Sequence, residues 1–163
     1  MKMAPVSRFF LPFAALLLFG CVLKETATEK APALVVRVVD GDTIIIDGGE
    51  SVRLIGINSA ERQKECYTEA KQKLADLVDG KIVFLEKDAE NRDKYGRLLR
   101  YVYLGNNFVN LEMVETGYAY AYEYPPSVKF AEKIAKAEEK AQAGHEGCLW
   151  ENKEANNYGK EPN

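Results

Sequence analysis

The sequence predicts an α+β protein that is mainly a five-stranded Greek-key β-barrel with three α-helices. Three observations support this prediction. Five short segments are rich in β-branched and apolar residues, an amphipathic stretch separates the third segment from the fourth, and two further helical stretches follow the fifth. A chain of 163 residues is long enough for one domain with a full hydrophobic core.

The predicted strands are short and separated by turn residues. An Asp-Gly turn at positions 40–41 separates the first two strands, Gly48-Gly49 separates the second from the third, and a charged stretch separates the last two. The five predicted strands cover residues 34–39, 43–46, 51–57, 81–87 and 98–104.

Three helices are predicted between and after these strands. Thr68 is expected to cap the first helix, whose apolar positions Ala70, Leu74, Leu77 and Val78 share one face, with Gly80 just past its end. A short helix over residues 109–116 ends at Gly117. Ser127 is expected to cap the longest helix, which stops at Gly144 and turns inward Phe130, Ala131, Ile134, Ala135 and Ala141.

The order β-β-β-α-β-β-α-α is typical of the oligonucleotide/oligosaccharide-binding fold (OB-fold). Such barrels are often simple binding modules, so the fold does not decide the function.

The first residues are typical of an export signal. Residues 1–20 carry Lys2 and Arg8 before an apolar run that is too short to span a bilayer. The sequence Leu-Phe-Gly-Cys that ends at Cys21 resembles a bacterial lipoprotein signal, which implies lipidation of Cys21 and a membrane-anchored protein of the cell envelope. The alternatives are an ordinary secretory signal, which would make the protein secreted, or an uncleaved hydrophobic anchor.

The predicted domain organisation follows from composition. Residues 21–32 form the lipidated cysteine and a flexible polar tether, residues 33–150 form the folded domain, and residues 151–163 form a disordered polar tail. The whole chain has a net charge of −3, and removal of two basic residues with the signal gives −5. A broad electrostatic DNA-binding surface is therefore excluded, and any contact with nucleic acid must come from a local pocket.

Two cysteines remain once Cys21 is assigned to lipid. Cys66 and Cys148 are candidates for a disulfide because thiols of exported proteins can oxidise, and the alternative is a pair of buried free thiols. The single histidine, His145, excludes chemistry that needs paired histidines or a zinc site built from several.

Three charged clusters contain the candidate chemistry: Asp40-Gly41-Asp42-Thr43, the stretch from Arg53 to Glu61, and the stretch from Asp93 to Arg97. Phosphodiester hydrolysis needs a base for the attacking water and charge stabilisation at phosphorus. A planar guanidinium binds two phosphate oxygens at once, which favours Arg53 and Arg97 for the second role. Two surface arginines paired with acids are the alternative.

Oxygen donors near these arginines suit a hard cation such as calcium. Asp42, at the first turn, and Asn58 and Ser59, after the third strand, are expected to come together. Asp40 is better suited to capping its own turn, and Glu61 to holding water against the phosphorus.

In combination, the three clusters resemble the motifs of the staphylococcal-nuclease-like family over residues 33–150. The resemblance implies an OB-fold endonuclease with one calcium ion, which acts on single-stranded or frayed DNA and on RNA and leaves 3′-phosphate ends. A monomer is expected. By position, Arg53, Glu61 and Arg97 match the catalytic residues, and Asp42 and Ser59 match calcium ligands. Lys94, Tyr95, Tyr122 and Tyr124 match residues that contact the nucleotide.

Two positions depart from the family pattern. Asn58 stands where a second calcium carboxylate is usual, so the expected activity needs more calcium. Ala60 replaces a common proline, which predicts a looser loop.

Tyrosines at 118, 120, 122 and 124 offer either base stacking or a packed face under the last helix. The main alternative function is a lipid-anchored, non-catalytic barrel that binds nucleic acid or a protein.

Overall fold

The computed structural model describes residues 30–151 and has the predicted fold class, a closed five-stranded barrel with helices. A one-turn 3-10 helix at Asp47–Gly49 lies between the second and third strands. In chain order the other elements are β1 (Lys30–Val38), β2 (Thr43–Ile46), β3 (Ser51–Leu54), β4 (Ile57–Asn58), α1 (Tyr67–Val78), β5 (Ile82–Glu86), β6 (Leu98–Leu104), β7 (Asn107–Phe108), α2 (Val109–Glu115), β8 (Tyr120–Ala121), α3 (Ala131–Ala143) and α4 (Gly147–Trp150).

The barrel closes through one parallel pairing. The hydrogen-bonded order is β3-β2-β1-β5-β6, and β3 then pairs with β6 in parallel, with Arg53 opposite Leu99. The first part of β1 pairs with β5 and its last part with β2, and an irregular register between Val35 and Arg37 marks the change of partner. A bulge of this kind bends the strand, so that β1 can pair with β5 along its first part and with β2 along its last part.

The barrel interior and the helices share one hydrophobic core. Tyr101 has the largest fully buried side chain, and its hydroxyl donates a hydrogen bond to Asp88 at 3.0 Å. Helix α1 contributes Ala70, Leu74 and Val78 to the buried residues, as its predicted apolar face required. A further buried residue, Ile134, packs α3 into the same core.

Two strand boundaries differ from the prediction by more than one residue. β1 begins at Lys30 rather than at residue 34, because residues 30–34 pair with residues 82–86 of β5. The third strand ends at Leu54, because Gly56 takes a φ of 82° and turns the chain. Residues 57 and 58 then pair with β8 in a separate two-stranded sheet, which no periodic pattern predicted.

Two predicted caps were wrong. α1 begins one residue before Thr68, at Tyr67, and follows Cys66, whose φ is 69°. Ser127 does not cap α3, because that helix begins at Ala131 and the Ser127 hydroxyl accepts a hydrogen bond from the backbone N–H of Glu90 at 3.0 Å.

The inward face of α3 is also shifted relative to the prediction. Ala137 is buried and Ala135 is exposed, so the buried positions Ile134, Ala137 and Ala141 follow helical spacing. α4 is an additional single turn that the sequence did not indicate.

The C-terminal end of the domain is attached to the rest at two places. Cys66 and Cys148 form a disulfide with Cα atoms 5.4 Å apart, which joins the start of α1 to α4. Nearby, Gly117 has a φ of 71°, and a Cβ at this position would clash with the backbone carbonyl of Glu146. These contacts pack α4 against the turn after α2.

Several sequence predictions lie outside the described residues. They are the signal peptide, the lipidated Cys21, the tether up to residue 29 and the tail from residue 152. Within residues 30–151, no helix is both long and apolar enough to cross a lipid bilayer.

Removal of the disulfide should destabilise the domain. We expect the double variant Cys66→Ala/Cys148→Ala to lose about 4 kcal/mol of unfolding free energy, because the bond closes a loop between residues separated by 82 positions. Urea unfolding with and without reductant measures this loss. Reductant should lower the midpoint of the native chain and leave the midpoint of the double variant unchanged; equal midpoints for the oxidised and fully reduced native chain would contradict the prediction.

The close approach at Gly117 gives a second stability prediction. Gly117→Ala should lower the free energy of unfolding by about 3 kcal/mol or more, because it adds a backbone clash to the strain of a positive φ. Gly105→Ala is the matched control, since Gly105 has a φ of 59° and no atom within 4 Å of an added Cβ. Gly105→Ala should lower the free energy of unfolding by about 1 kcal/mol. If thermal unfolding shows that both variants lose the same stability, the close approach to Glu146 does not restrict the side chain at position 117.

Candidate active site

A buried carboxylate, Asp42, is at the centre of the site. It lies in the turn before β2 and is 6% exposed. Its Oδ2 accepts hydrogen bonds from the Ser59 backbone N–H at 2.7 Å and the Ser59 hydroxyl at 3.0 Å. Its Oδ1 accepts one from the Thr43 hydroxyl at 3.0 Å and lies 3.2 Å from Arg53 Nε. Asp42 therefore ties the first turn to β3 and to the loop after β4.

The orientation of Arg53 is set by neighbours around its guanidinium. Nε pairs with Asp42, Nη2 donates to Asn58 Oδ1 at 3.0 Å, and Nη1 donates to the carbonyl of Leu54. Burial lowers the pKa of Arg53 and the carboxylate of Asp42 opposes that change, but an arginine stays protonated in a protein. Arg53 is thus a fixed positive charge at the barrel wall.

Arg97 approaches the same place from the turn before β6. Its Nε pairs with Asp93 Oδ2 at 2.7 Å, and its Nη1 is 3.5 Å from the Thr43 hydroxyl. Burial alone would raise the pKa of Asp93, but hydrogen bonds from the Arg97 side chain and backbone and from the Tyr95 N–H lower it below the ordinary value. Asp93 therefore remains an anion that orients Arg97.

One cavity of about 440 Å³ brings the three sequence clusters together. Of the predicted catalytic residues and metal ligands, Asp42, Arg53, Asn58, Ser59, Glu61 and Arg97 all line it. Glu61 is exposed and belongs to the loop after β4, whereas Asp42, Arg53 and Ser59 are buried. The cavity therefore combines buried, fixed groups with one exposed carboxylate.

The prediction missed four lining residues, Arg37, Arg62, Tyr67 and Lys71. Arg37, Arg62 and Lys71 bring the cationic lining side chains to five. The acidic ones are Asp40, Asp42 and Glu61. The pocket is therefore locally positive although the chain carries a net charge of −3. The overlooked signal is the spacing of Tyr67 and Lys71, which are four residues apart on α1 and therefore share a face of the helix.

None of the four predicted nucleotide-contacting residues lines this cavity, and they form two groups. Tyr95 is 73% exposed and lies beside Arg97, whose Cζ is 5.5 Å from the ring centroid, and Lys94 Nζ is 5.1 Å from the same centroid. Tyr122 and Tyr124 are not among the lining residues of this cavity, and their ring centroids lie 6.4 Å apart.

The remaining aromatic and histidine predictions have mixed outcomes. Tyr118 packs partly against the core, as the packed-face interpretation expected, but Tyr120 is 40% exposed. His145 is exposed beyond α3.

The donor chemistry of the site fits a hard divalent cation. Asp40, Asp42, Asn58 and Ser59 offer only oxygen atoms, and burial together with the neighbouring Asp42 raises the pKa of Asp40. A cation relieves such crowding of negative charge. Residues 30–151 contain no cluster of three or more His, Cys, Asp or Glu side chains that could hold a metal ion.

Comparison with known proteins agrees with this geometry. Residues 51–152 match the model of the family described as staphylococcal nuclease homologue. A thermonuclease of Staphylococcus intermedius is 42% identical over 118 residues, covering 67% of this chain and 70% of the relative. A thermonuclease of Staphylococcus hyicus is 37% identical over 117 residues, covering 66% and 69%. An uncharacterized endonuclease of Haemophilus influenzae is 38% identical over 113 residues, covering 67% and 62%. The chain therefore belongs to the staphylococcal nuclease family and is a nuclease.

Proposed function

We propose that this nuclease is a calcium-dependent endonuclease that cleaves single-stranded or frayed DNA and RNA to products with 3′-phosphate ends. The observation that carries the proposal is the shared cavity, which Arg53, Arg97 and the exposed carboxylate of Glu61 line together with a set of oxygen donors. A protein that only binds nucleic acid has no need of a carboxylate next to two phosphate-binding arginines.

Each of the three charged side chains has a distinct role in the proposed reaction. Arg53 and Arg97 bind the non-bridging oxygens of the scissile phosphate, and their bonds to the oxygens strengthen as negative charge builds up at phosphorus. Glu61 takes a proton from the attacking water. The bond between phosphorus and the 5′-oxygen breaks, the 5′-oxygen takes a proton from solvent, and the phosphate stays on the 3′ side.

Different partners hold the two arginines in place before the substrate binds. Arg53 is fixed by Asp42, Asn58 and Leu54, whereas the Arg97 side chain is 30% exposed and anchored mainly through Nε. Such preorganised donors avoid reorganisation during the reaction. Arg53 is thus suited to a fixed phosphate contact and Arg97 to one that adjusts to the substrate.

Asp42, Asn58 and the Ser59 backbone carbonyl would hold the divalent cation that nucleases of this family use, and the proposed ion is calcium. When bound, the ion supplies positive charge next to the phosphate and the attacking water. The Asp42 carboxylate accepts three hydrogen bonds, two of them from Ser59, and also forms the ion pair with Arg53. The Ser59 hydroxyl can rotate, so it is the donor best suited to release one of these contacts.

The remaining proposals concern the location and state of the protein. The lipoprotein-like sequence ending at Cys21 supports export and attachment to the cell envelope through lipid, and the chain is proposed to act there as a monomer.

Activity of the chain from residue 22 onward tests the proposed function. It should cleave single-stranded DNA and RNA in millimolar calcium and not in chelator. Arg97→Ala and Glu61→Ala should each lower kcat by about 100-fold or more, since they remove a phosphate contact and the base. Lys136→Ala is a control, because Lys136 forms an exposed ion pair with Glu132 on α3. A folded protein that binds nucleic acid without cleaving it at any calcium concentration would establish the non-catalytic alternative.

A charge added at Asn58 should lower the calcium requirement. Asn58→Asp keeps the shape and the acceptor for Arg53 while adding a carboxylate, so we expect half-maximal activity at about 10-fold less calcium. Calcium should also raise the unfolding temperature of this variant more than that of the native chain. Asn106→Asp, in the exposed turn before β7, adds the same charge elsewhere. An unchanged calcium requirement in Asn58→Asp would show that position 58 is not a ligand.

A further inference from the structure

A second cavity adjoins the active-site cavity. It has a volume of about 430 Å³ and shares Asn58, Ser59, Ala60 and Glu61 with the first. Its outer part adds Lys64, Glu65 and Tyr120. Both cavities therefore border the loop after β4, which carries the proposed base.

The position of Tyr120 is fixed by backbone pairing. Tyr120 lies directly opposite Asn58 in the short antiparallel sheet of β4 and β8. The neighbouring Ala121 backbone N–H donates to the Glu138 carboxylate of α3 at 3.0 Å, which attaches β8 to that helix as well. The Tyr120 backbone is therefore held on both sides.

The ring of Tyr120 packs against one neighbouring aromatic ring and is partly open to solvent. Its centroid is 5.5 Å from that of Trp150 at an interplanar angle of 89°, and Trp150 belongs to α4, which the disulfide at Cys148 ties to α1. Tyr120 is nevertheless 40% exposed. An edge-to-face contact occupies at most one face of a ring, so at least one face of Tyr120 is available.

A polymeric substrate must continue on both sides of the phosphate that is cleaved. On one side Tyr95 stands beside Arg97, where Lys94 and Tyr95 are suited to the nucleotide that leaves with a 5′-hydroxyl. The second cavity, which also borders the loop that carries Glu61, offers a place for the nucleotide on the other side. A nucleobase stacks on an aromatic face without any sequence preference.

We propose that the second cavity is a nucleotide subsite in which Tyr120 stacks on the base immediately 5′ of the scissile phosphate. Lys64, at the rim of the same cavity, is placed to contact the next phosphate of the strand. This inference rests on the proposed endonuclease function. It makes Tyr120 a positioning residue that acts on the substrate strand and leaves proton transfer to Glu61.

The test uses two dinucleotides that each contain a single cleavable linkage and end in a 3′-phosphate. One carries a base on its 5′ nucleotide, and the other is abasic there. The native chain should cleave the first with about 10-fold higher kcat/KM. Tyr120→Ala should remove this difference and leave the rate on the abasic dinucleotide unchanged. Tyr120→Phe keeps an aromatic face and should behave like the native chain.

Three other outcomes of this test would contradict the subsite or the proposed function. If Tyr120→Ala lowers the rates on both dinucleotides equally, Tyr120 acts only through the pairing with Asn58, and the subsite is overturned. The subsite is also overturned if the native chain cleaves both dinucleotides at the same rate. If the native chain cleaves neither of them, nor longer single strands, at any calcium concentration, the proposed function fails and the subsite fails with it.

Discussion

The buried pair formed by Asp42 and Arg53 is the interaction on which the site depends. Burying a charge is costly unless it is paired and hydrogen-bonded, and Asp42 meets this requirement with donors from Thr43, Arg53 and Ser59. These donors come from three separate parts of the chain. The contacts of this one carboxylate therefore fix the positions of the first turn, the barrel wall and the loop that carries Glu61 relative to one another.

The same arrangement explains how a chain with a net negative charge acts on a polyanion. The cationic lining residues Arg37, Arg53, Arg62, Lys71 and Arg97 come from β1, β3, the loop after β4, α1 and the turn before β6. Their field acts over about one Debye length, 8 to 10 Å at moderate salt, so attraction is confined to the cavity and its rim. Specific contacts to a few phosphates then matter more than general attraction to a duplex surface.

Local patterns in the sequence predicted much of this structure. β-branched runs and glycine turns located the five barrel strands, and the apolar stripe Ala70, Leu74 and Val78 located the inner face of α1. The three clusters around the cavity were identifiable because each is contiguous in sequence.

Features that depend on tertiary partners were missed. β4 and β8 have two residues each, too few for a period, and their pairing exists only in the folded protein. The Ser127 hydroxyl bonds to Glu90 instead of capping a helix, because the folded chain places that backbone N–H beside it. Arg37 has no sequence context that marks it as a lining residue, and Tyr120 acquires its surroundings only from Asn58 and Trp150.

Closure of the barrel by the parallel pairing of β3 with β6 has a consequence for when the enzyme becomes active. Arg53 lies on β3, and Arg97 immediately precedes β6, so this long-range pairing brings the two arginines to one cavity. A chain that has not yet folded has both arginines but no assembled site. A host cell is therefore spared damage to its own nucleic acid for as long as the polypeptide is kept from folding.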